Sequence, residues 1–178
     1  MALRLASLLL LCAACGSPSE DRQVEATYND ATGKLSRLTL NTEADGKPNI
    51  TSYVDGSKFI RIEIDANEDG KTDRWEYYGT NQKIVRVGLS RANDGKEDAW
   101  VFPDATGAPS RIEVSTRRDG KVNRIEFYER GALARAEEDT DTDGRVDKWE
   151  TYENEALVSV SFDTSRSGKP TTTINYPR

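Results

Sequence analysis

An Asp-Gly-Lys tripeptide, or a close variant of it, recurs along this 178-residue chain at nearly constant spacing. Successive glycines of the tripeptide are 24 or 25 residues apart, and they are Gly46, Gly70, Gly95, Gly120, Gly144 and Gly168. A fixed period of this length is the signature of a repeat architecture, in which each unit packs against its neighbours. We therefore expect a repeat array rather than a globular domain with one central core.

Each unit contains two short segments with the alternating pattern of half-buried strands, such as 74–78 and 84–89 in the second unit. Turns of two residues (Gly56-Ser57, Arg130-Gly131, Asn154-Glu155) or three residues (Thr80-Asn81-Gln82, Ala105-Thr106-Gly107) fit hairpins between them. A partial unit near 24–40 and a last strand near 171–176 complete the array. The sequence predicts an all-β fold, a single antiparallel meander of about thirteen strands that coils or curls.

A register for each hairpin follows from pairing Trp75 with Val87, which sets Glu76 against Arg86 across the strands. Aromatic and aliphatic positions then share one face, over which the sheet curls, and an arginine series lies on the other. We expect the tryptophans on the apolar face to be core rather than a sugar-stacking surface. A second aromatic row would be exposed, consisting of Tyr78, Tyr128 and Tyr152.

Two of the loops between hairpins match the calcium-binding loop of EF-hands, with oxygen ligands at positions 1, 3, 5, 7, 9 and 12 and glycine at position 6. Closely alternating carboxylates suit Ca²⁺, a hard ion that takes six to eight oxygens. Strands flank these loops, so the EF-hand fold is not implied. The candidate ligands are Asp65, Asn67, Asp69, Lys71 (through its carbonyl), Asp73 and Glu76 in one loop, and Asp139, Asp141, Asp143, Arg145 (through its carbonyl), Asp147 and Glu150 in the other.

The sequence leaves open other roles for these loops and glutamates besides calcium binding. Asp and Asn also cap their own backbone in metal-free turns. Glu76 has a rival role in a salt bridge with Arg86, which we favour, whereas Glu150 faces Ser159 and is the better ligand candidate. The first loop offers a weaker site (Asn41, Glu43, Asp45, Asn49), and loops with Ser90 and Ala92, Ser115 and Arg117, or Ser167 at ligand positions are predicted not to bind.

Residues 1–14 have the basic start, short apolar run and small residues of a secretory signal peptide. The segment Cys12-Ala13-Ala14-Cys15 resembles the processing site of bacterial lipoproteins, although Cys12 stands where leucine is usual. The resemblance implies that Cys15 becomes the first mature residue and carries a lipid. The alternatives are an ordinary signal peptide cut nearby or a disulfide between the two cysteines. Residues 15–22 then form a tether, and 23–178 form the repeat domain.

The whole chain is similar to bacterial lipoproteins with Asp-rich hairpin repeats, and its design of one hairpin per unit is similar to that of MORN repeats. The resemblance implies a lipid-anchored envelope protein on the outer membrane, facing the periplasm or the cell surface. Its expected function is non-enzymatic, as a scaffold or binding surface for an unidentified protein or glycan. The alternative is a carrier that holds a lipid or glycan on its apolar face, and an enzyme using paired carboxylates is a distant third.

The composition of the chain excludes several classes of function. The formal net charge of −6 argues against a nucleic-acid partner, because such binders need basic surface to displace counterions. The chain has no histidine, which excludes Ser-His-Asp and Cys-His catalysis. Two loops, 65–73 and 139–147, each hold four acids and one base, so each contributes −3 and together they contribute −6. The acidity is therefore concentrated where divalent cations would offset it.

Overall fold

The computed structural model describes residues 24–42 and 45–177. Within these residues thirteen antiparallel strands form one open sheet in which spatial order follows chain order, and no helix is present. The all-β meander of hairpin repeats is therefore confirmed. The strands are β1 (Val24–Tyr28), β2 (Leu35–Leu40), β3 (Ile50–Asp55), β4 (Lys58–Ile64), β5 (Arg74–Tyr78), β6 (Ile84–Leu89), β7 (Ala99–Pro103), β8 (Pro109–Val114), β9 (Arg124–Glu129), β10 (Ala132–Glu138), β11 (Lys148–Glu153), β12 (Ala156–Phe162) and β13 (Thr172–Asn175).

The predicted turns are present. Gly56-Ser57 joins β3 to β4, and the other two-residue turns also lie where the repeat length places them. In the 25-residue units the backbone N–H of Gly79 donates to the carbonyl of Lys83 (2.9 Å), which closes a three-residue turn between them. Gly107 has φ of 92°, the left-handed conformation expected for the glycine of such a turn. No helical segment among the described residues has the length and apolarity needed to cross a membrane.

The predicted register is wrong by one residue over most of each hairpin, because a β-bulge follows each turn. Next to the turn, Tyr78 pairs with Ile84 as the predicted register requires, but an extra residue in β6 then shifts the pairing. Trp75 therefore lies opposite Gly88, and Glu76 lies opposite Val87 instead of Arg86. Equivalent shifts place Glu126 opposite Ala136 and Glu150 opposite Val160.

The bulges also change which residues share a face, so the predicted apolar face of aromatic and aliphatic residues is wrong. The arginine series and the aromatic residues alternate along one row across the sheet, on what we call the arginine–aromatic face. Guanidinium groups stack on the rings in a cation–π arrangement, with 3.5 to 4.6 Å between the arginine Cζ and the ring centroid. The stacked pairs are Arg61 on Tyr53, Arg86 on Tyr77, Arg111 on Phe102 and Arg135 on Phe127.

The opposite side, which we call the aliphatic face, carries the aliphatic positions of the second strand in each unit. Val87, Ala136 and Val160 are buried there. The tyrosine row predicted to be exposed lies on this face and is half-buried. Each of those tyrosines donates its hydroxyl proton to a glutamate two residues earlier, at 2.9 to 3.1 Å, and the pairs are Tyr78–Glu76, Tyr128–Glu126 and Tyr152–Glu150.

Candidate metal centre

All the repeat loops lie at the same end of the strands, because each loop connects the second strand of one unit to the first strand of the next. We number them loops 1 to 6, with nine positions each: 41–49, 65–73, 90–98, 115–123, 139–147 and 163–171. Positions 4 and 6 have left-handed backbones in the five loops described in full. These residues are Glu68 and Gly70, Asn93 and Gly95, Arg118 and Gly120, Thr142 and Gly144, and Arg166 and Gly168.

Side chains of the loop hold this backbone conformation by capping its N–H groups. In loop 2, Asp65 Oδ2 accepts a hydrogen bond from Gly70 N (2.8 Å), and Asp73 Oδ2 accepts one from Ala66 N (3.0 Å). In loop 4, Ser115 Oγ accepts the glycine N–H in the same way. Loop 4, which lacks the full acid set, thus has the same backbone shape, and the capping turn chemistry named as the alternative to calcium is present in these loops.

The aspartate at position 5 makes a similar cap. Its carboxylate accepts a hydrogen bond from the backbone N–H at position 7, at 2.9 Å in loops 2, 4 and 5. In loop 4 this bond, from Lys121 N, lowers the pKa of Asp119 below its ordinary value, because it favours the ionised form. The donors in loops 2 and 5 are the N–H groups of Lys71 and Arg145, the two residues predicted to offer their carbonyls to calcium.

The caps leave three carboxylate oxygens of loops 2 and 5 without a partner, whereas Asp147 of loop 5 accepts hydrogen bonds at both oxygens, from Thr140 N and Thr140 Oγ1. Asp65 Oδ1, Asp73 Oδ1 and Asp139 Oδ1 are buried and accept no hydrogen bond. A buried, unpartnered carboxylate oxygen is costly unless a cation or a donor faces it. At position 1 of loop 4, serine has no second oxygen, and at position 9 Asn123 uses its amide nitrogen to donate to Thr116 Oγ1 (2.7 Å). The unsatisfied oxygens thus occur in the two loops for which the sequence predicts calcium.

Loop 5 brings three of its predicted ligands together. One oxygen from each of Asp139, Asp141 and Asp147 lies within 4.8 Å of the others, a group that could hold a metal ion. Asp141 and Asp143 are exposed, as are Asn67 and Asp69 at the corresponding positions of loop 2. In loop 1, Glu43 lies outside the described residues.

The two glutamates predicted at position 12 of the calcium-loop pattern lie beyond the nine-residue loops, on strands of the aliphatic face. Other side chains hold them there. Arg74 Nε donates to Glu76 Oε1 at 2.9 Å. Glu150 is buried and pairs with Arg124 and Lys148, each at 2.7 Å. Burial opposes ionisation of Glu150, but hydrogen bonds from Lys148, Arg124 and Tyr152 outweigh it and lower the pKa to about 2. The cluster of three aspartates does not include Glu150.

Arginines that reach from one loop into the preceding loop form ion pairs that the sequence analysis did not predict. Arg118 of loop 4 reaches into loop 3, where it pairs with Asp94 (2.7 Å) and with the buried Asp98 (3.1 Å). Arg166 of loop 6 pairs with Asp141 of loop 5 at 3.3 Å. Both arginines stand at position 4, so a basic residue at that position was the signal available in the sequence. In loop 3 the guanidinium supplies the positive charge that a metal would supply.

Comparisons with known proteins do not place the chain in a family. No protein family model matches the sequence, and no curated protein sequence matches it. Among solved structures, the chain is similar to the S. aureus TarM G117R mutant in complex with Fondaparinux, alpha-GlcNAc-glycerol and UDP. That likeness has a TM-score of 0.43 and 13% identity, over 54% of this chain and 18% of that one.

A second similar structure is that of accessory secretory protein 1, 2 and 3 in Streptococcus pneumoniae. Its TM-score is 0.29, with 15% identity over 80% of this chain and 19% of that one. The chain therefore spans about a fifth of the length of each of these structures. At these TM-scores neither likeness bears on function.

Proposed function

We propose that this chain is a non-enzymatic, lipid-anchored envelope protein, in which a sheet of hairpin repeats acts as a scaffold or binding surface and calcium binds in loops 2 and 5. The observation that carries the calcium proposal is the set of buried carboxylate oxygens without partners, Asp65 Oδ1, Asp73 Oδ1 and Asp139 Oδ1. Calcium coordination would satisfy these oxygens without disturbing the caps made by their sister oxygens.

The role of scaffold rests on the shape of the sheet. Twelve consecutive strand pairings at about 4.8 Å each give a length on the order of 60 Å along the meander. Polar and aromatic groups recur in register along both faces, and such periodic surfaces suit extended partners. The carboxylates recur with the repeat as well, which a structural role explains better than a single catalytic site. Calcium in loops 2 and 5 would stiffen the loop edge near both ends of the array.

The calcium proposal is tested by calorimetric titration of the full chain with calcium. We expect two sites, with Asp65→Asn removing one and Asp139→Asn removing the other. Asp119→Asn is the matched control, since it alters position 5 of a loop predicted not to bind, and it should leave both sites intact. Absence of calcium uptake by the wild type, or uptake unchanged in both loop variants, would contradict the proposal. Extracellular calcium modules typically bind at about 10⁻⁴–10⁻³ M, which sets the concentration range.

The lipid anchor is tested separately, because Cys15 lies outside the described residues. The full chain is expressed in bacteria with radiolabelled palmitate, and cell fractions are compared for the wild type, Cys15→Ser and Cys12→Ser. We expect label and membrane association in the wild type and in Cys12→Ser, and loss of both in Cys15→Ser. An unlabelled wild type in the soluble fraction would exclude the anchor.

A further inference from the structure

A cavity of about 600 Å³ opens on the aliphatic face beside strands β6, β7 and β8. Its floor is apolar and is formed by Ile84, Val87, Leu89, Val101, Pro103 and Pro109. A volume of this size lies within the range of small-molecule binding sites, which are mostly apolar with a few polar groups that fix orientation. The cavity lies on the sheet, and among its lining residues Arg74 alone adjoins a calcium loop, where it follows Asp73.

The cavity exists because β7 departs from the repeat. On the aliphatic face β5, β9 and β11 each present a basic residue, a glutamate and a tyrosine in alternate positions, whereas β7 presents Ala99, Val101 and Pro103. Three large polar side chains are thus replaced by small apolar ones in β7. Strand β3 also lacks the triplet and carries Ile50, Ser52 and Val54 on this face. The cavity lies where an inner strand departs from the polar pattern of β5, β9 and β11, which a specific site explains better than a uniform scaffold does.

The charged residues at the rim of the cavity favour an anion. Lys83 and Arg74 both line it, and Lys83 is exposed. Asp104 lines it too, but its Oδ1 accepts hydrogen bonds from Thr106 N, Thr106 Oγ1 and Ala108 N inside its own turn. These bonds, the one from the Thr106 hydroxyl foremost, lower the pKa of Asp104, so its carboxylate stays ionised and Oδ1 is occupied by donors of its own turn. The ammonium of Lys83 remains to meet a ligand, whereas the guanidinium of Arg74 is already paired through Nε with Glu76 at 2.9 Å and can offer only its other N–H groups.

We propose that this cavity binds an amphiphile with an apolar chain and an anionic head group, the chain lying on the floor and the head group at the ammonium of Lys83. A fatty acid is the simplest member of this class. This inference goes beyond the scaffold proposal and identifies a defined ligand site on a face where β5, β9 and β11 carry polar triplets at the corresponding positions. It does not depend on calcium binding or on the lipid anchor.

The test is calorimetric titration of dodecanoate, below its micelle concentration, into the full chain. The variant Val101→Glu/Pro103→Tyr restores two residues of the sister strands and fills the cavity. Lys83→Glu reverses the charge of an exposed rim residue, so it does not threaten the fold. Lys58→Glu makes the same change at an exposed lysine next to another hairpin turn, outside the cavity, and serves as its matched control. Dodecyltrimethylammonium has the same chain with a cationic head group and tests the sign of the charge.

We expect one dodecanoate per chain, affinity at least tenfold lower in Lys83→Glu, loss of binding in Val101→Glu/Pro103→Tyr, and no change in Lys58→Glu. Dodecyltrimethylammonium should bind at least tenfold more weakly than dodecanoate. Absence of saturable binding, binding that survives filling of the cavity, or equal binding of the two amphiphiles would overturn the proposal. Calcium uptake measured on the same variants should stay at the wild-type value, so failure of this proposal is distinguishable from failure of the calcium sites.

Discussion

The guanidinium of Arg118 lies 3.1 Å from Oδ2 of Asp98, and the two residues belong to different repeat loops. Asp98 is buried, and its other oxygen caps the backbone N–H of Arg91. Loop 3 thus satisfies both oxygens of its position-9 carboxylate with a backbone donor and a side-chain cation. Loop 2 has only the backbone donors at the equivalent Asp73, which leaves one oxygen without a partner.

Replacing Arg118 with methionine should destabilise the fold. The change removes the counter-charge of a buried carboxylate, and we expect the free energy of unfolding to fall by about 2 kcal/mol, as for a charged hydrogen bond with one partly exposed partner. Urea denaturation at pH 7 measures the effect. Arg117→Met is the matched control, since Arg117 donates to uncharged oxygens of Thr140 and Thr142, and the change should cost less than about 1 kcal/mol. Equal costs for the two variants would contradict this account of Asp98.

Substitution of Gly88 by alanine should also be destabilising, although this glycine lies within a strand. A Cβ at this position would clash with Glu97 Oε2, and that carboxylate is held by the hydroxyl of Tyr77 and by Trp100 Nε1. We expect a loss of about 1–3 kcal/mol, the range for disrupting hydrogen bonds to a charged group. In the double variant with Glu97→Ala the alanine should cost far less, and a double-mutant cycle by urea denaturation measures that coupling. Additive effects of the two changes would show that Glu97 is not what excludes a side chain at position 88.

Glu150 should make stability depend on pH in the acid range. Its pKa of about 2 in the folded protein lies below the ordinary value of 4.5. The stabilisation is therefore fully present above about pH 4.5 and is lost as the pH falls through 2. Glu150→Gln should lower the free energy of unfolding at pH 7 and weaken its dependence on pH between 5 and 2. Glu155→Gln, at an exposed turn of the same hairpin, is the control, and denaturation at several pH values distinguishes them. A wild-type pH profile in Glu150→Gln would refute the assignment.

Calcium should raise the melting temperature without being required for folding, because the caps form the loops in its absence. At a tenfold excess over its dissociation constant, each bound ion stabilises the fold by about 1.4 kcal/mol. We therefore expect circular dichroism to show the same strand content with calcium and with chelator, and a higher melting temperature with calcium. The increase should be about halved in Asp139→Asn. Unfolding on chelation would mean that the caps alone do not hold the loops.

The sequence predicts the strands of this fold better than it predicts their faces. Repeat spacing and alternation are enough to place the hairpins and their turns, because both are local. The residue pattern does not reveal the bulge after each turn. A shift of one residue in the register moves every side chain of a strand to the opposite face of the sheet relative to its partner strand. For that reason Arg86 stacks on Tyr77 instead of pairing with Glu76.

The sequence likewise predicts one part of the candidate metal centre and misses another. The Asp spacing identifies the two loops that retain buried, unpartnered carboxylate oxygens. The sequence does not reveal that Glu150 is held by Arg124, because these residues are 26 positions apart and meet only through the sheet. The signal peptide and Cys15 lie outside the described residues, so those predictions await the labelling experiment.

The account is tested most directly by a crystal structure of the protein grown with calcium, with anomalous scattering used to locate the ions. We predict one calcium peak in loop 2 and one in loop 5. Asp65 Oδ1 and Asp73 Oδ1 should bind the first ion and Asp139 Oδ1 the second, at about 2.3–2.6 Å. Loops 3 and 4 should hold no ion, and Arg118 should remain on Asp98. Calcium-saturated crystals without a peak in loops 2 and 5, or with peaks that leave these three oxygens unbound, would contradict the account.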